Sequence, residues 1–278
     1  MFMIKNCFIG LTIFFGILLS LSNNITAQDE FDVAQSSLYD TPPRWLVDMP
    51  TAGTLHRGSY NISFRFYPHG GALGYADIGL SSRFMMGISF GGEGVISSAD
   101  PDWNPSIEFG LRFRVIDELE YFPAVSVGFS SQGSGEYSSG LERYAFKSRG
   151  FYGVASRSFY FYQWTAGWHF GVNYSRENKI DDDKDINVFG GFDATFKYNL
   201  ALAMEYDAAL NDDRSTLPDS AKTAYPFAGK GRGYLNMSIK WLFAENLELE
   251  VILKDLLVNR RESDTFTREL RITYIDNF

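Results

Sequence analysis

The feature that most constrains this chain is an alternation of apolar and polar side chains with a period of two residues. It is clearest in residues 164–174, WTAGWHFGVNY, where Trp164, Trp168 and Phe170 share one face. The same period recurs from residue 58 almost to the last residue, and few stretches have the 3.6-residue period of a helix. Successive side chains of a β-strand point to opposite faces. The chain is therefore predicted to be all-β, with one apolar and one polar face on each strand.

The alternation predicts twelve strands joined by two kinds of connection. The strands lie near residues 58–67, 72–80, 83–91, 105–116, 122–130, 144–158, 162–176, 185–198, 200–210, 232–243, 246–256 and 265–278. After the first hairpin, short turns alternate strictly with long loops. The long loops are residues 91–105, 130–143, 176–185, 211–231 and 259–264. Because the strand count is even, every short turn lies at the same end of the barrel as the two chain termini, and every long loop lies at the other end. This is the layout of an outer-membrane β-barrel.

A soluble β-sandwich is the alternative, because its strands also carry one apolar and one polar face. Three features favour a membrane barrel: the number of strands, the aromatic residues near strand ends, and more apolar side chains than one sandwich core would hold. Unpaired strand edges are costly in hydrocarbon, and a closed barrel has none. Residues 58–278 are therefore predicted to form a closed antiparallel transmembrane β-barrel of about twelve strands, with its apolar face toward lipid.

The first 27 residues have the pattern of a cleaved secretory signal peptide. Lys5 precedes an apolar run, and small residues follow up to Ala27. A lone transmembrane anchor is the alternative, but the apolar run is short for a membrane span. Residues 28–57 are then predicted to be a periplasmic N-terminal segment ahead of the barrel. An exported barrel of this kind is expected in the bacterial outer membrane, in contact with its lipid.

The last strand carries a further signal for that location. Phe278 shares its face with Tyr274, Ile272 and Leu270, whereas Asp276 interrupts the pattern. A terminal aromatic residue after alternating apolar positions resembles the signal that the bacterial barrel-assembly machinery reads. That machinery is therefore a predicted partner, bound through Phe278.

Composition excludes several other partners. The chain has 25 Lys and Arg against 34 Asp and Glu, a formal net charge of -9, and no basic tract. This balance argues against binding to nucleic acid. The one cysteine, Cys7, lies in the predicted signal peptide. The exported chain is therefore expected to be stable without disulfides.

Four stretches carry a resemblance to a known group. They are PPRWLVDMPTAGTLHRG, DIGLSSRFMMGISFGGEGVI, LRFRVIDELEYFPAVSVGFSSQGSGEY and VFGGFDATFKYNLALAMEYDAALND. In the order and character of these segments, residues 44–211 resemble the YjbH-like group of exopolysaccharide-associated outer-membrane proteins. The resemblance implies an outer-membrane barrel linked to exopolysaccharide handling, and it names no catalytic residue.

The polar face of each strand is predicted to line the lumen and to form a solute path. The lumen-facing candidates are Arg65, Arg83, Glu108, Arg112, Arg114, Lys147, Arg149, His169, Asp193, Glu205, Asp207, Lys240, Glu248 and Glu250. Basic residues dominate the early strands, and acidic residues dominate the later ones. Two arrangements follow. A positive wall can face a negative wall across a narrow lumen and orient a polar or zwitterionic solute, or ion pairs can close the lumen.

The sequence contains no strong signature of catalysis or metal binding. An outer-membrane phospholipase resembles a twelve-stranded barrel, but its HxSNG-like motif is absent, because FGVNYS follows His169. His169 is interpreted as a wall residue. The acidic run Asp181–Asp185 lacks the glycine turn and spaced ligands of a calcium loop, so a solvated loop is favoured. No catalytic residue, metal or cofactor is predicted.

The predicted function is non-enzymatic: a narrow pore or export-associated barrel, linked by resemblance to exopolysaccharide and carrying polysaccharide or a small polar solute. Two alternatives remain. The first is a structural or adhesive surface barrel that binds partners through its long loops. The second is a lipid-modifying enzyme of the outer membrane. The sequence leaves open whether the lumen is open or closed.

Overall fold

The computed structural model describes residues 43–278, apart from 99, 163, 197–198, 213–228 and 262. The predicted signal peptide and residues 28–42 lie outside the described residues. In the part of the chain that is described, no helix is long and apolar enough to cross a membrane.

The described residues contain fifteen strands, whose bounds follow the period-two alternation of the sequence. They are β1 Ser59–Tyr67, β2 Gly71–Ser81, β3 Phe84–Glu93, β4 Asp102–Trp103, β5 Glu108–Ile116, β6 Ala124–Ser130, β7 Ser134–Ser138, β8 Arg143–Phe146, β9 Gly150–Phe161, β10 Trp164–Tyr174, β11 Asn187–Phe196, β12 Leu200–Asp207, β13 Tyr234–Ala244, β14 Leu247–Lys254 and β15 Thr267–Asn277.

Twelve of these strands form one closed antiparallel sheet. The pairing runs in the order β1, β2, β3, β5, β6, β9, β10, β11, β12, β13, β14 and β15, and β1 pairs with β15 to close the circle. The two-residue β4 extends the end of β3, and β7 and β8 form a separate hairpin. The structure thus confirms the predicted twelve-stranded barrel. Each of the twelve barrel strands therefore pairs with a neighbour on both sides, as hydrocarbon requires.

The two faces of the barrel wall differ as the alternation predicted. Phe113 and Trp168 are 46% and 49% exposed, whereas Arg112 and His169 on the same strands are 2% and 1% exposed. Large apolar side chains therefore point outward, and polar side chains point into the lumen. In water such an exposed apolar surface would be unfavourable, whereas the lipid-facing band of an outer-membrane barrel has this character.

One predicted strand differs from the structure. Residues 144–158 were expected to form a single barrel strand, but Arg143–Phe146 belongs to the β7–β8 hairpin and the barrel strand begins at Gly150. Gly150 has a φ of 60°, a left-handed conformation that suits glycine. Tyr144 and Phe146 are buried. The alternation in this stretch therefore reflects packing within a loop structure and not contact with lipid.

That loop structure, which we call the loop cap, comprises residues 131–149, 175–186 and 208–212 on the long-loop side of the barrel. Its residues Leu141, Ala145 and Phe146 form an apolar cluster with Tyr234, the first residue of β13. Its ion pairs join Arg143 to Asp181 and Asp212, and Lys147 to Asp181. The loops on this side are therefore folded against one another.

A buried carboxyl in the loop cap makes its stability depend on pH. Glu177 accepts hydrogen bonds from the backbone N–H groups of Tyr144 (3.2 Å) and Ser148 (2.6 Å). Burial raises the pKa of Glu177 from 4.5 to about 7, and the two N–H groups and the Arg143 charge oppose this shift. Folding of the cap therefore favours the protonated carboxyl, and its stability is lost as the pH rises through about 7.

We expect the loop cap to open more readily at pH 8 than at pH 5, with a difference of at most ~3 kcal/mol. Hydrogen exchange of the Tyr144 and Ser148 amides, corrected for the intrinsic pH dependence of exchange, measures this opening. The Glu177→Gln variant should lose the pH dependence while it keeps an acceptor oxygen. A dependence that persists in Glu177→Gln would show that another group is responsible.

Candidate functional site

The lumen of the barrel holds residues 43–57, which we call the plug. Its residues Leu46, Val47, Met49 and Thr51 are at most 1% exposed. It bonds to inward side chains of eight barrel strands, through Arg65, Arg112, Ser126, Ser156, Glu205, Lys240, Lys254 and Arg271. These eight strands are distributed around the circle of twelve, so the segment lies inside the barrel.

The expectation that residues 28–57 form a periplasmic segment ahead of the barrel stays a prediction. The structure adds that the described part of that segment, residues 43–57, packs inside the lumen against inward side chains. The physical reason is that the inward face is strongly charged, and the plug's backbone supplies the donors and acceptors that these charges need when they are buried. The division of the rest of this region into signal peptide and leading segment stays a prediction.

The plug reverses direction in a tight turn with Asp48 at its tip. Trp45 pairs with Pro50, the Leu46 N–H bonds the Met49 carbonyl at 3.0 Å, and the Thr51 N–H bonds the Arg44 carbonyl at 3.1 Å. The turn leaves the N–H groups of the three central residues without partners inside the plug. They all point to one side, as in the anion-binding concavities that successive N–H groups form.

Glu205, on β12, occupies that concavity. Its carboxylate accepts hydrogen bonds from the N–H groups of Val47 (2.9 Å), Asp48 (2.9 Å) and Met49 (2.8 Å). Asn236 on the neighbouring β13 donates to the same carboxylate at 2.7 Å. Glu205 is fully buried. Because four donors converge on one buried carboxyl group, this residue is a polar anchor of the plug turn.

The side chain of Asp48 forms a second anchor on the other side of the turn. It pairs with Arg65 on β1 and with Lys254 on β14, which are 2% and 0% exposed at their side chains. Arg65 is also paired with Glu269 on β15. Removal of one member of such a buried network leaves an uncompensated charge, which costs several kcal/mol.

Two arginines of β5 hold the two limbs of the plug. Arg112 donates to the carbonyls of Arg44 (2.7 Å) and Gly53 (2.6 Å), and its guanidinium lies 4.7 Å from the centre of the Trp45 ring. Arg114 donates to the Ala52 carbonyl at 3.1 Å and to the Thr54 hydroxyl at 2.6 Å. These basic residues therefore bind plug backbone and do not face an open pore.

His169 is part of a hydrogen-bonded chain that ends at the plug. Its Nε2 lies 2.7 Å from Asp193 Oδ1, and its Nδ1 lies 2.8 Å from Ser156 Oγ. In the neutral ring, the Nε2–H group donates a hydrogen bond to the carboxylate, and Nδ1 accepts a hydrogen bond from the serine hydroxyl. The Ala52 N–H donates to Ser156 Oγ at 2.8 Å. Ser–His–Asp is also the residue set of hydrolase triads, but here the serine oxygen is bonded to the plug.

The remaining predicted lumen residues fall into two groups. The first group lies in the lumen, beside the plug. Lys240 donates to the Trp45 carbonyl at 2.8 Å, and Arg149 pairs with Asp207 and donates to the Asp48 carbonyl at 3.3 Å. Glu248 and Glu250 lie on β14, and Arg271 lies 3.0 Å from Glu250.

The second group lies at the rims of the barrel. The Arg83 side chain is 51% exposed and pairs with Asp117 at a short turn. Lys147 lies in the loop cap, bonded to Asp181 and to the Asn211 carbonyl. Glu108 lies at the start of β5 near the loop cap, 3.4 Å from the Tyr144 hydroxyl. Glu108 is the first residue of β5, and Arg83 and Lys147 precede β3 and β9, so the structure does not place these three beside the plug.

The charged residues of the lumen pair with one another. Of the two arrangements predicted, the pairs Arg65–Glu269, Arg149–Asp207 and Arg271–Glu250 favour ion pairs over two opposed walls. Asp48, Lys254, Glu269, Arg271 and Asn236 belong to this plug and lumen network and are absent from the predicted set. The last four occupy inward positions of their strands, so the alternation could have indicated them, whereas nothing in the pattern singled out Asp48.

The acidic run Asp181–Asp185 belongs to the loop cap. Asp181 is buried and pairs with Arg143 and Lys147, and Asp182 pairs with Lys184. Within the described residues, no group of three or more His, Cys, Asp or Glu side chains could hold a metal ion.

Comparison with known proteins finds similarity among solved structures alone. No family model and no curated protein matches the chain. A KdgM porin is 12% identical with a TM-score of 0.44, over 79% of this chain and 99% of that chain. The COG4313 outer membrane channel from Pseudomonas putida F1 is 12% identical with a TM-score of 0.42, over 83% and 100%. A NanC porin is 8% identical with a TM-score of 0.41, over 79% and 99%.

Proposed function

We propose that this protein is a non-enzymatic channel of the bacterial outer membrane that is closed at rest by its own plug. The observation that carries the proposal is the plug's position: residues 43–57 lie across the lumen and bond to inward side chains of eight strands. The apolar outer face of the barrel supports a location in lipid. Contact with the barrel-assembly machinery through the exposed Phe278 remains part of the proposal.

The contacts of the plug suit a gate better than a permanent core. Its apolar contacts include a cluster in which Leu46 and Met49 pack against Tyr152, Val154, Phe189 and Ala203. Its turn and both of its limbs are held by hydrogen bonds and ion pairs to the wall. When the plug leaves, water can solvate those wall groups, so the open state does not leave charges buried without partners. A closed and an open state of the same barrel are therefore both accessible.

The solute belongs to the proposal as well. A lumen wall of charged and hydroxyl side chains suits a small polar or zwitterionic molecule. The resemblance to the YjbH-like group supports a link to exopolysaccharide, and polysaccharide is the second solute class. A role as an adhesive surface barrel is the alternative function, which would use the folded loop cap.

Conductance in planar lipid bilayers tests the proposal. We expect the intact protein to be closed for most of the time, and a variant that lacks residues 43–56 to show frequent openings, because a polar and water-filled lumen conducts ions. A retained β-sheet circular dichroism spectrum and retained heat-modifiable migration in gels would establish that the variant barrel is folded. A folded variant that stays as silent as the intact protein would contradict the proposal.

A further inference from the structure

The loop cap and the plug meet at Lys254, the last residue of β14. Its Nζ pairs with Asp48 at the tip of the plug turn and donates a hydrogen bond to Ser134 Oγ of the loop cap. It also lies 3.7 Å from the centre of the Phe146 ring, which belongs to the loop cap as well. One ammonium group therefore contacts both the plug and the loop cap.

The β7–β8 hairpin of the loop cap covers this ammonium group. Ser134 and Phe146 lie opposite each other in the hairpin register, and both are 8% exposed. β14 runs from a short turn to the long-loop side of the barrel, so Lys254 lies at the outer end of the lumen. The Lys254 side chain is nevertheless 0% exposed. The hairpin therefore separates the Lys254 charge from the water outside.

Further contacts join the loop cap to the plug turn without Lys254. The Ser134 hydroxyl donates to Asp48 Oδ2 at 3.4 Å. Arg149, at the end of the same cap segment, donates to the Asp48 carbonyl at 3.3 Å and pairs with Asp207 on β12. The loop cap therefore binds the tip of the plug at both its side chain and its backbone.

Displacement of the hairpin changes the strength of these contacts. Two charges attract each other more strongly where water is excluded than in water. While the hairpin is in place, the Lys254–Asp48 pair is shielded from solvent. When the hairpin moves away, water reaches Lys254 Nζ, and the pair becomes similar to a solvent-exposed ion pair, which contributes little. The plug turn then loses the Ser134 bond and part of the Lys254 attraction together.

We propose that the loop cap is the outer latch of the channel: the plug turn is held fully only while the β7–β8 hairpin covers Lys254, and displacement of the hairpin releases the plug. This inference rests on the proposed channel function, because it names how that channel is regulated. Long loops of outer-membrane barrels lie on the external side, so the latch responds to events outside the membrane. Coupling between two sites is reciprocal, so removal of the plug also loosens the loop cap.

Removal of the hairpin tests the latch. β6 and β9 are neighbours with Ser130 opposite Gly150, so a short turn can join them. In a full chain in which Gly-Ser replaces residues 133–147, we expect the Leu46 and Thr51 amides, which bond within the plug, to exchange hydrogen at least ~10-fold faster than in the intact protein. Heat-modifiable migration in gels establishes that the variant barrel is folded. Unchanged exchange of the two plug amides in the folded variant would overturn the latch.

Two serines of β7 provide a matched pair of point variants. Ser134→Ala removes the hydroxyl that bonds Lys254 and Asp48, and we expect a ~5-fold increase in the exchange rate of the plug amides. Ser138→Ala removes the same group from the same strand, where Ser138 lies opposite Arg143, and should leave the rate unchanged. Equal rates in the two variants would overturn the assignment of Ser134 to the latch.

The barrel that lacks residues 43–56 supplies the reciprocal measurement. In that variant we expect the Tyr144 and Ser148 amides, which bond Glu177 in the loop cap, to exchange at least ~10-fold faster than in the intact protein at the same pH. Unchanged exchange of these amides would overturn the latch. Exchange needs no ion flow, and the conductance of the same variant still tests the channel, so failure of the latch is distinguishable from failure of the channel function.

Discussion

Replacement of Glu205 by alanine is expected to release the plug and to turn a mostly closed barrel into a conducting one. The substitution removes an ionised acceptor from three buried N–H groups, those of Val47, Asp48 and Met49. A buried donor without a partner costs ~1–3 kcal/mol. Because water can enter the vacated space, we take the total as about 3 kcal/mol, which shifts the ratio of closed to open states by ~100-fold.

Single-channel recording of the open probability measures this effect. Glu205→Gln retains the shape and one acceptor oxygen but loses the charge, so an intermediate open probability is expected. Glu120→Ala is the matched control, because Glu120 is an exposed carboxylate at a short turn and should leave the channel closed. If the folded Glu205→Ala protein stays closed like the control, Glu205 is not the anchor of the gate.

The barrel itself could be predicted from the sequence because its determinants are local. Lipid on one side and a polar lumen on the other impose the period of two on every strand, as in Glu108–Ile116, where Phe113 points outward and Arg112 inward. Strand order followed from the alternation of short turns and long loops. The same local pattern explains why the strand that begins at Gly150 was predicted to begin at residue 144. Tyr144 and Phe146 continue the alternation, but they pack in the loop cap.

The plug could not be predicted for the opposite reason. Its anchor bonds join residues far apart in the chain, such as Val47 and Glu205, which are 158 positions apart. The groups that Glu205 binds are backbone N–H groups, which nearly every residue carries, so they leave no signature in the sequence. The alternation indicated which charges face inward, but the partner of each depends on the plug that lies between them.

Asp48 and Lys254 allow the energetics of the plug to be tested by a double-mutant cycle. Asp48→Asn leaves the fully buried Lys254 without its acidic partner. It also removes one of the two acidic partners of Arg65 and leaves Glu269 as the other. Disruption of a buried pair in this way costs ~3–5 kcal/mol. We therefore expect Asp48→Asn alone to raise the open probability strongly and to speed hydrogen exchange of the Leu46 and Thr51 amides.

Lys254→Met should be milder, because Asp48 keeps Arg65 as a partner, and the Met side chain can keep a contact with the Phe146 ring, whose centre lies 3.7 Å from Lys254 Nζ. In the double variant Asp48→Asn/Lys254→Met, no lysine charge is left buried. The double variant is therefore expected to be less open than Asp48→Asn alone, with a coupling of ~1–3 kcal/mol. Strictly additive effects of the two substitutions would mean that Asp48 and Lys254 do not act as a unit. The plug would then be held by Glu205 and the β5 arginines without the Asp48–Lys254 pair.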